Sequence, residues 1–383
     1  FVSRPDQGIT AEVFARTDPL TGGIIQQVSG KNVAPLTLGW RQAATRCSVP
    51  EHRGTGIHQL MAREQHNASV AIYSLKLVYP SWAVLSGTTE TAQGAASSIT
   101  ASIEYPSGTY TQVTFNGSAT GSMPDNSNFV SDEVAVTIPQ GAKFWVRTWV
   151  SNATALVYNG AFKSLTGEGF VASAATTPDL TMGGAVSQAT VNMYGPAAIL
   201  ANHGKRAIGI IGDSLGFGTN DTANNGDVGA VARSIGQCLP YINASVPSDS
   251  ATSFASSNTN RVALMAYVSD MVCQYGINDI PGTPAGTVLT RLATVHALFP
   301  NLRIFQTTIP PRTTSTDSWV TTANQTVTAN EATRLSVNTS IRAVLATTDG
   351  TFDIATQLES SWNSGFWALD TGATAVAMTA DGV

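Results

Sequence analysis

Between about residues 68 and 165, hydrophobic and polar positions alternate in short runs, the period-two signature of strands that bury one face. The runs are Ser69–Tyr73, Leu75–Tyr79, Ser98–Tyr105, Val134–Ile138 and Phe144–Val150. Turn formers separate them: Pro106-Ser107-Gly108, Asn116-Gly117 and Pro139-Gln140-Gly141. Short strands at this spacing predict an antiparallel β-sandwich or jelly roll.

Beyond about residue 200 the pattern changes. Arg206–Gly212 is a continuous apolar run, as a strand covered on both faces requires. Segment 229–239 then reads as a helix. Strand 270–275, helix 284–299 ending at Phe299-Pro300, strand 302–308, helix 329–346 and strand 352–355 follow. Strands alternating with helices predict right-handed βαβ units around a parallel sheet. Residues 1–65 show no period and are expected to be an irregular lead-in. The expected organisation is that segment, a β-sandwich over 66–170 with carbohydrate binding as one use, a linker over 171–204, and an α/β domain over 205–383. Phe1 stands where a start methionine would, so an earlier segment is expected too.

Composition narrows the function. Only 12% of residues are charged, about half the ~25% of an average soluble protein. The net charge is −5 and no block of basic residues exists, which argues against nucleic-acid binding. No apolar run is long enough to span a membrane. Polarity comes from Ser, Thr and Asn, a composition expected of a β-rich protein working outside cells, with a bacterial or phage source in view. Cys238 and Cys273 sit in apolar surroundings and read as buried thiols; a disulfide between them is the alternative, leaving Cys47 odd. Glu51, His52, His58 and His66 lack metal-ligand spacing and read as part of an exposed connection, so no metal and no cofactor are expected. Trp82, Trp145 and Trp149 read as core of the sandwich, with a sugar-stacking platform as the rival.

Catalysts in open parallel sheets sit beyond the carboxyl ends of the strands. Three polar segments are placed there. Gly212-Asp213-Ser214-Leu215 follows the first strand of the α/β half, and its glycines permit a tight turn exposing the Ser214 hydroxyl. A serine hydroxyl needs a base before it becomes a useful nucleophile. Gly276-Ile277-Asn278-Asp279 ends a later strand, and the Asn278 amide is a suitable donor to a developing oxyanion. Asp381-Gly382-Val383 closes the sequence. Asn-x-Ser/Thr triplets recur, and Asn243 would place a glycan beside this region.

These blocks, in this order, resemble the SGNH or GDSL-type esterase and lipase superfamily. The resemblance covers about residues 205–383 and implies a three-layer, flavodoxin-like parallel sheet. It implies Ser214 as nucleophile and an oxyanion hole from the Ser214 N–H, the Ser248 N–H and the Asn278 side chain. Ser248 stands where the family has a glycine, within Asn243–Ser250. Asp381 is implied as the acid orienting a histidine three residues on, which places that histidine directly after Val383. Gly212–Gly216 also satisfies Gly-x-Ser-x-Gly, the elbow of α/β-hydrolases, but that fold places strands and helices ahead of the elbow where this chain reads all-β.

The expected function is a serine ester hydrolase acting through an acyl-enzyme on Ser214. Its expected partner is an acetylated carbohydrate or another small ester. A short-chain lipase or esterase is one alternative. A carbohydrate-binding or virion structural protein with an inactive hydrolase domain is the other.

Overall fold

Ile208 and Ile210 lie in one buried cluster with Val231, Ala232, Tyr241, Val272 and Phe305, while their neighbours Ala207 and Ile211 lie in another. Alternate side chains of a strand point to opposite faces, so this run needs cover on both. The computed structural model describes residues 36–85, 89–160, 164–187, 192–219, 221 and 226–369. Six strands form the sheet that provides the cover: β1 (Cys47–Ser48), β2 (Ile208–Gly212), β3 (Tyr241–Asn243), β4 (Asp270–Gln274), β5 (Arg303–Thr307) and β6 (Gly350–Phe352). Their order is β1-β3-β2-β4-β5-β6, and every pairing is parallel.

The connections carry helices α1 (Ser214–Phe217), α2 (Ala230–Ile235), α3 (Ala251–Ser256), α4 (Thr259–Leu264), α5 (Ala285–Ala297) and α6 (Glu331–Arg342), with α7 (Ile354–Leu358) after β6. Helix α5 buries Val288, Leu292 and Val295, the i, i+4, i+7 stripe that packs one helical face. On α6 that stripe includes Arg334, whose buried guanidinium pairs with Glu331 and Glu359, both at 2.6 Å.

Upstream, two antiparallel sheets enclose a core of their own. One runs Gly39–Gln42, Ala198–His203, Ile72–Pro80, Asn128–Val130, with Val134–Ile138 also on Ile72–Pro80. The other runs Gly121–Met123, Ser97–Glu104, Lys143–Asn152, Gln59–Asn67, Gly169–Ser173, with Tyr110–Val113 also on Ser97–Glu104. Leu60, Ala62, Ile72, Leu75, Ile99, Ile103, Val146 and Val150 fill the space between them.

Several sequence expectations need correction. Residues 39–67 are not irregular: they supply Gly39–Gln42 and Gln59–Asn67 to these sheets, His52–Gly54 to a separate two-stranded pair with Leu156–Tyr158, and β1 to the parallel sheet. His66 is fully buried on Gln59–Asn67, not part of an exposed connection. The expected linker contains two strands, Gly169–Ser173 running past its start and Ala198–His203 at its end. In place of separate strands over 69–73 and 75–79 there is a single strand, Ile72–Pro80, which leaves residues 69–71 outside it. The last strand stops at Phe352, because the Asp353 carboxylate accepts from the Thr356 N–H and starts α7. All three cysteines are free, and Cys238 is exposed.

The two halves share a core. Val49, Val78, Trp82, Val84, Ala198 and Leu200 belong to one buried cluster with Ile211, Leu215, Leu264, Met265 and Met271. Trp82 is fully buried, and its indole N–H donates to Asn128 Oδ1 at 2.9 Å. Trp145 and Trp149 are half-buried, the first under Arg63 and the second donating to Thr177 O. Removing a buried tryptophan typically costs about 3–5 kcal/mol. Trp82→Ala is therefore expected to lower the urea midpoint of both halves together, read by far-UV circular dichroism and by tryptophan fluorescence. Two separated transitions would contradict a shared core.

Candidate active site

The strand order places β2 between β3 and β4, and the chain reverses direction across the sheet at that point. Crevices for ligands open beyond the carboxyl ends of strands at such a reversal. The segments leaving β2, β3 and β4 there carry Ser214, Ser248 and Asn278 respectively. The sheet thus brings together three of the four residues singled out from the sequence. The fourth, Asp381, lies outside the described residues.

Ser214 is the first residue of α1. The preceding Asp213 is extended (φ −100°, ψ −151°), and its Oδ1 accepts from the Leu215 N–H at 3.0 Å, capping the helix. Gly218 closes the single turn with φ +82°. A Cβ on Gly216 would collide with the Ser245 side chain, so only glycine lets α1 approach the segment after β3 this closely. The Val246 N–H donates to Gly212 O at 3.0 Å, and Asn243 Nδ2 donates to Gly216 O at 2.9 Å. Asn243 is buried in that contact, which leaves no room for a glycan.

Ser248 is exposed and has φ +66°. The Asp249 N–H bonds back to Val246 O at 3.2 Å. Pro247 and a left-handed Ser248 then occupy the positions that proline and glycine favour in a type II turn. The backbone therefore has the conformation a glycine would adopt, with a serine bearing a modest strain. Asn278 Nδ2 donates to Asp249 O at 2.8 Å, pinning the amide to this turn while its second N–H stays available. Among the described residues neither the Ser214 hydroxyl nor the Ser248 N–H has a hydrogen-bond partner.

Beneath these groups lie carboxylates to which sequence reasoning assigned no role. Asp249 Oδ2 accepts from Tyr275 Oη at 2.7 Å and Arg261 Nη1 at 2.5 Å. Asp279 Oδ2 accepts from the Ala251 N–H at 3.0 Å. Burial pushes the Asp213 carboxyl up to about 8; the Leu215 N–H opposes the shift, and Asp249 and Asp279 add to it. Asp213 and Asp279 lie inside the motif blocks, and Ser250, whose hydroxyl accepts from the Ser253 N–H to start α3, has the side chain of a helix N-cap.

The histidines are engaged elsewhere. His296 bonds Thr347 Oγ1 at 2.8 Å and Gln306 Oε1 at 3.1 Å, and burial brings it down to about 4. His203 sits on Gln42 O, His66 on Thr45 O, His58 on Asn152 O and His52 beside Glu51. Among the described residues, no group of three or more His, Cys, Asp or Glu gathers to hold a metal, and no helix is long and apolar enough to cross a membrane.

No protein-family profile matches the chain, and no curated protein does. Among solved structures the chain is similar to a lipase/acylhydrolase from Enterococcus faecalis (19% identity, 40% of this chain and 78% of that one covered, TM-score 0.30). It is also similar to a carbohydrate acetylesterase from Sinorhizobium meliloti (11%, 39% and 85%, TM-score 0.29). A peptidoglycan O-acetylesterase aligns over 87% of this chain and 68% of its own, at 9% identity and TM-score 0.34.

The buried acid makes a stability prediction. Asp213 keeps its proton up to about pH 8 in the folded chain, whereas an ordinary aspartate loses it near 3.8. Folding therefore takes up a proton between these values, so this group's contribution is full at low pH and declines as pH rises toward 8. Asp213→Asn keeps the cap but cannot ionise. Its unfolding free energy, relative to wild type, is expected to improve from pH 5 to pH 8.5 in urea titrations. Parallel curves for the two proteins would refute the raised Asp213.

Proposed function

We propose that the chain is a serine ester hydrolase of the SGNH type, built on a flavodoxin-like sheet behind a β-sandwich, and that it removes short acyl groups, O-acetyl groups on carbohydrate above all. The observation that carries this reading is the convergence of Ser214, Ser248 and Asn278 at the reversal of strand order, with the Asn278 amide held against the turn that bears Ser248. Hydrolysis of an ester at a serine needs a nucleophile on a sharp turn and donors aimed at one oxygen. The free Ser214 hydroxyl supplies the first, and the N–H groups of Ser214, Ser248 and Asn278 supply the second.

In this mechanism Ser214 Oγ attacks the ester carbonyl while an imidazole takes its proton. The carbonyl oxygen becomes an oxyanion held by the three donors. Collapse of the tetrahedral intermediate breaks the bond to the alcohol oxygen, which receives the proton back from the imidazole. Water then attacks the acyl-Ser214 ester by the same route, releasing the acid and restoring the serine. The imidazole is the one expected three residues after Asp381, whose carboxylate fixes its tautomer. The partners found for the other five histidines support looking there for the base. The acetyl-carbohydrate assignment is supported by the β-sandwich joined to the candidate site's half and by a low-charge composition suited to work outside cells.

Turnover of p-nitrophenyl acetate tests the reaction. Ser214→Ala is expected to abolish it while leaving the circular dichroism spectrum unchanged. A variant retaining more than a few per cent of wild-type rate would exclude Ser214 as nucleophile. Asn278→Ala is expected to lower kcat by ~10²–10³ with little change in KM, as for a donor used in the transition state. A loss confined to KM would make Asn278 a substrate-binding residue.

A further inference from the structure

Arg261 is fully buried, in a chain with few charges to spare. Its guanidinium reaches Asp249 Oδ2 at 2.5 Å on one side and Glu90 Oε1 at 3.4 Å on the other, with the Ser257 carbonyl at 2.8 Å and the Phe254 ring 4.4 Å beneath it. Glu90 comes from the other half of the molecule, on strand Thr89–Ala92, and its side chain is only 5% exposed. Besides facing Arg261, its carboxylate accepts from the backbone N–H of Asn260 at 2.8 Å and of Arg261 at 2.9 Å, while the Glu90 N–H donates to Ser257 Oγ at 2.8 Å. Nearby, Asn128 Nδ2 donates to Asn260 O, and Asn260 Nδ2 donates to Asn126 Oδ1, both at 2.9 Å. This is a dense polar seam between an antiparallel sheet and α4.

The seam leads to the oxyanion donors. Asp249, held by Arg261 and Tyr275, is the residue whose carbonyl receives the Asn278 amide, and it directly follows Ser248. Removing one member of a buried ion pair leaves the other charge without compensation, so its position relaxes. From this arrangement we infer that Glu90 is a positioning residue: through Arg261 and Asp249 it holds the Ser248 turn and the Asn278 amide in the geometry that receives the oxyanion. The β-module is then part of the catalytic apparatus, not only an attachment for binding. This inference rests on the ester-hydrolase reading for its kinetic consequence, but not for its structural one.

Arg261→Ala would leave Asp249 buried and unpaired and is expected to unfold the region, so Glu90→Gln is the informative variant. It keeps size and one acceptor while removing the charge. Amide hydrogen exchange comes first and needs no activity. Exchange at Asp249, whose N–H closes the turn, is expected to accelerate along with that at Asn260 and Arg261. Acceleration confined to Asn260 and Arg261, or none, overturns the inference. Kinetics on p-nitrophenyl acetate come second. Glu90→Gln is expected to lower kcat about tenfold with KM nearly unchanged, a size typical of coupling through a network. In an Asn278→Ala background the same change is expected to cost less than about twofold, because residues acting through one group are not additive. Equal losses in both backgrounds would show that Glu90 acts on stability or elsewhere, and would overturn the inference. A wild-type chain without esterase activity would instead refute the proposed function, and the exchange result would then decide the positioning role alone.

Discussion

The molecule depends on the position of one strand. Strand β2 has β3 on one side and β4 on the other, and both its faces are covered. A strand in that position is fixed by ladders and by packing together, so the turn at its carboxyl end is anchored from both sides. The same position lets segments after three neighbouring strands meet without any long excursion of the chain. Asn243, Val246 and Asn278 then lock those segments to one another through backbone carbonyls at Gly216, Gly212 and Asp249. Rigid scaffold and polar loops are thus joined by few bonds.

Charge is used sparingly and inside. Arg46 with Glu168, Arg147 with Glu104, Arg261 with Asp249 and Arg334 with Glu359 are all buried pairs. Each costs desolvation and is stabilising only while its partner stays in place, so such pairs set geometry more than they add stability. Several of them tie segments distant in sequence. Arg46, beside β1, also donates to Gly226 O at 3.1 Å in the stretch ahead of α2. The polar contacts between halves therefore reach the Gly226 stretch directly and the Asp249 turn through Arg261.

What the sequence reveals follows from how each element is buried. Ile208–Gly212 is legible because an unbroken apolar run fits only a doubly covered strand. Val288, Leu292 and Val295 reveal α5 because one face is apolar and the other polar. Gln59–Asn67 is hidden for the opposite reason: it lies between two neighbouring strands, yet carries Arg63, Glu64, Gln65 and His66. Bonds to partners outside the strand, such as Arg63 to Glu104 and the His66 ring to Thr45 O, make those side chains tolerable. No local pattern encodes them. At the site, Ser214 and Asn278 stand out as motif residues, whereas Glu90 and Arg261 show their relation only once two distant segments are packed. Helices α3 and α4, six residues each, are too short to show a period.

The two-residue strand β1 has a consequence for how the chain is made. Cys47 and Ser48 leave the ribosome long before β3, the strand they pair with, because all of the antiparallel half after Gly39–Gln42 intervenes. Contacts of such sequence separation form late, and a fold rich in them is slow to complete. Synthesis therefore passes through a stage in which the antiparallel half can pack while one of its loops waits with open backbone groups. An unpaired strand edge invites association with other chains. Brevity limits the danger, since two residues offer a poor template for a neighbouring molecule. A long strand at this position would close the sheet equally well and leave a far stickier nascent chain.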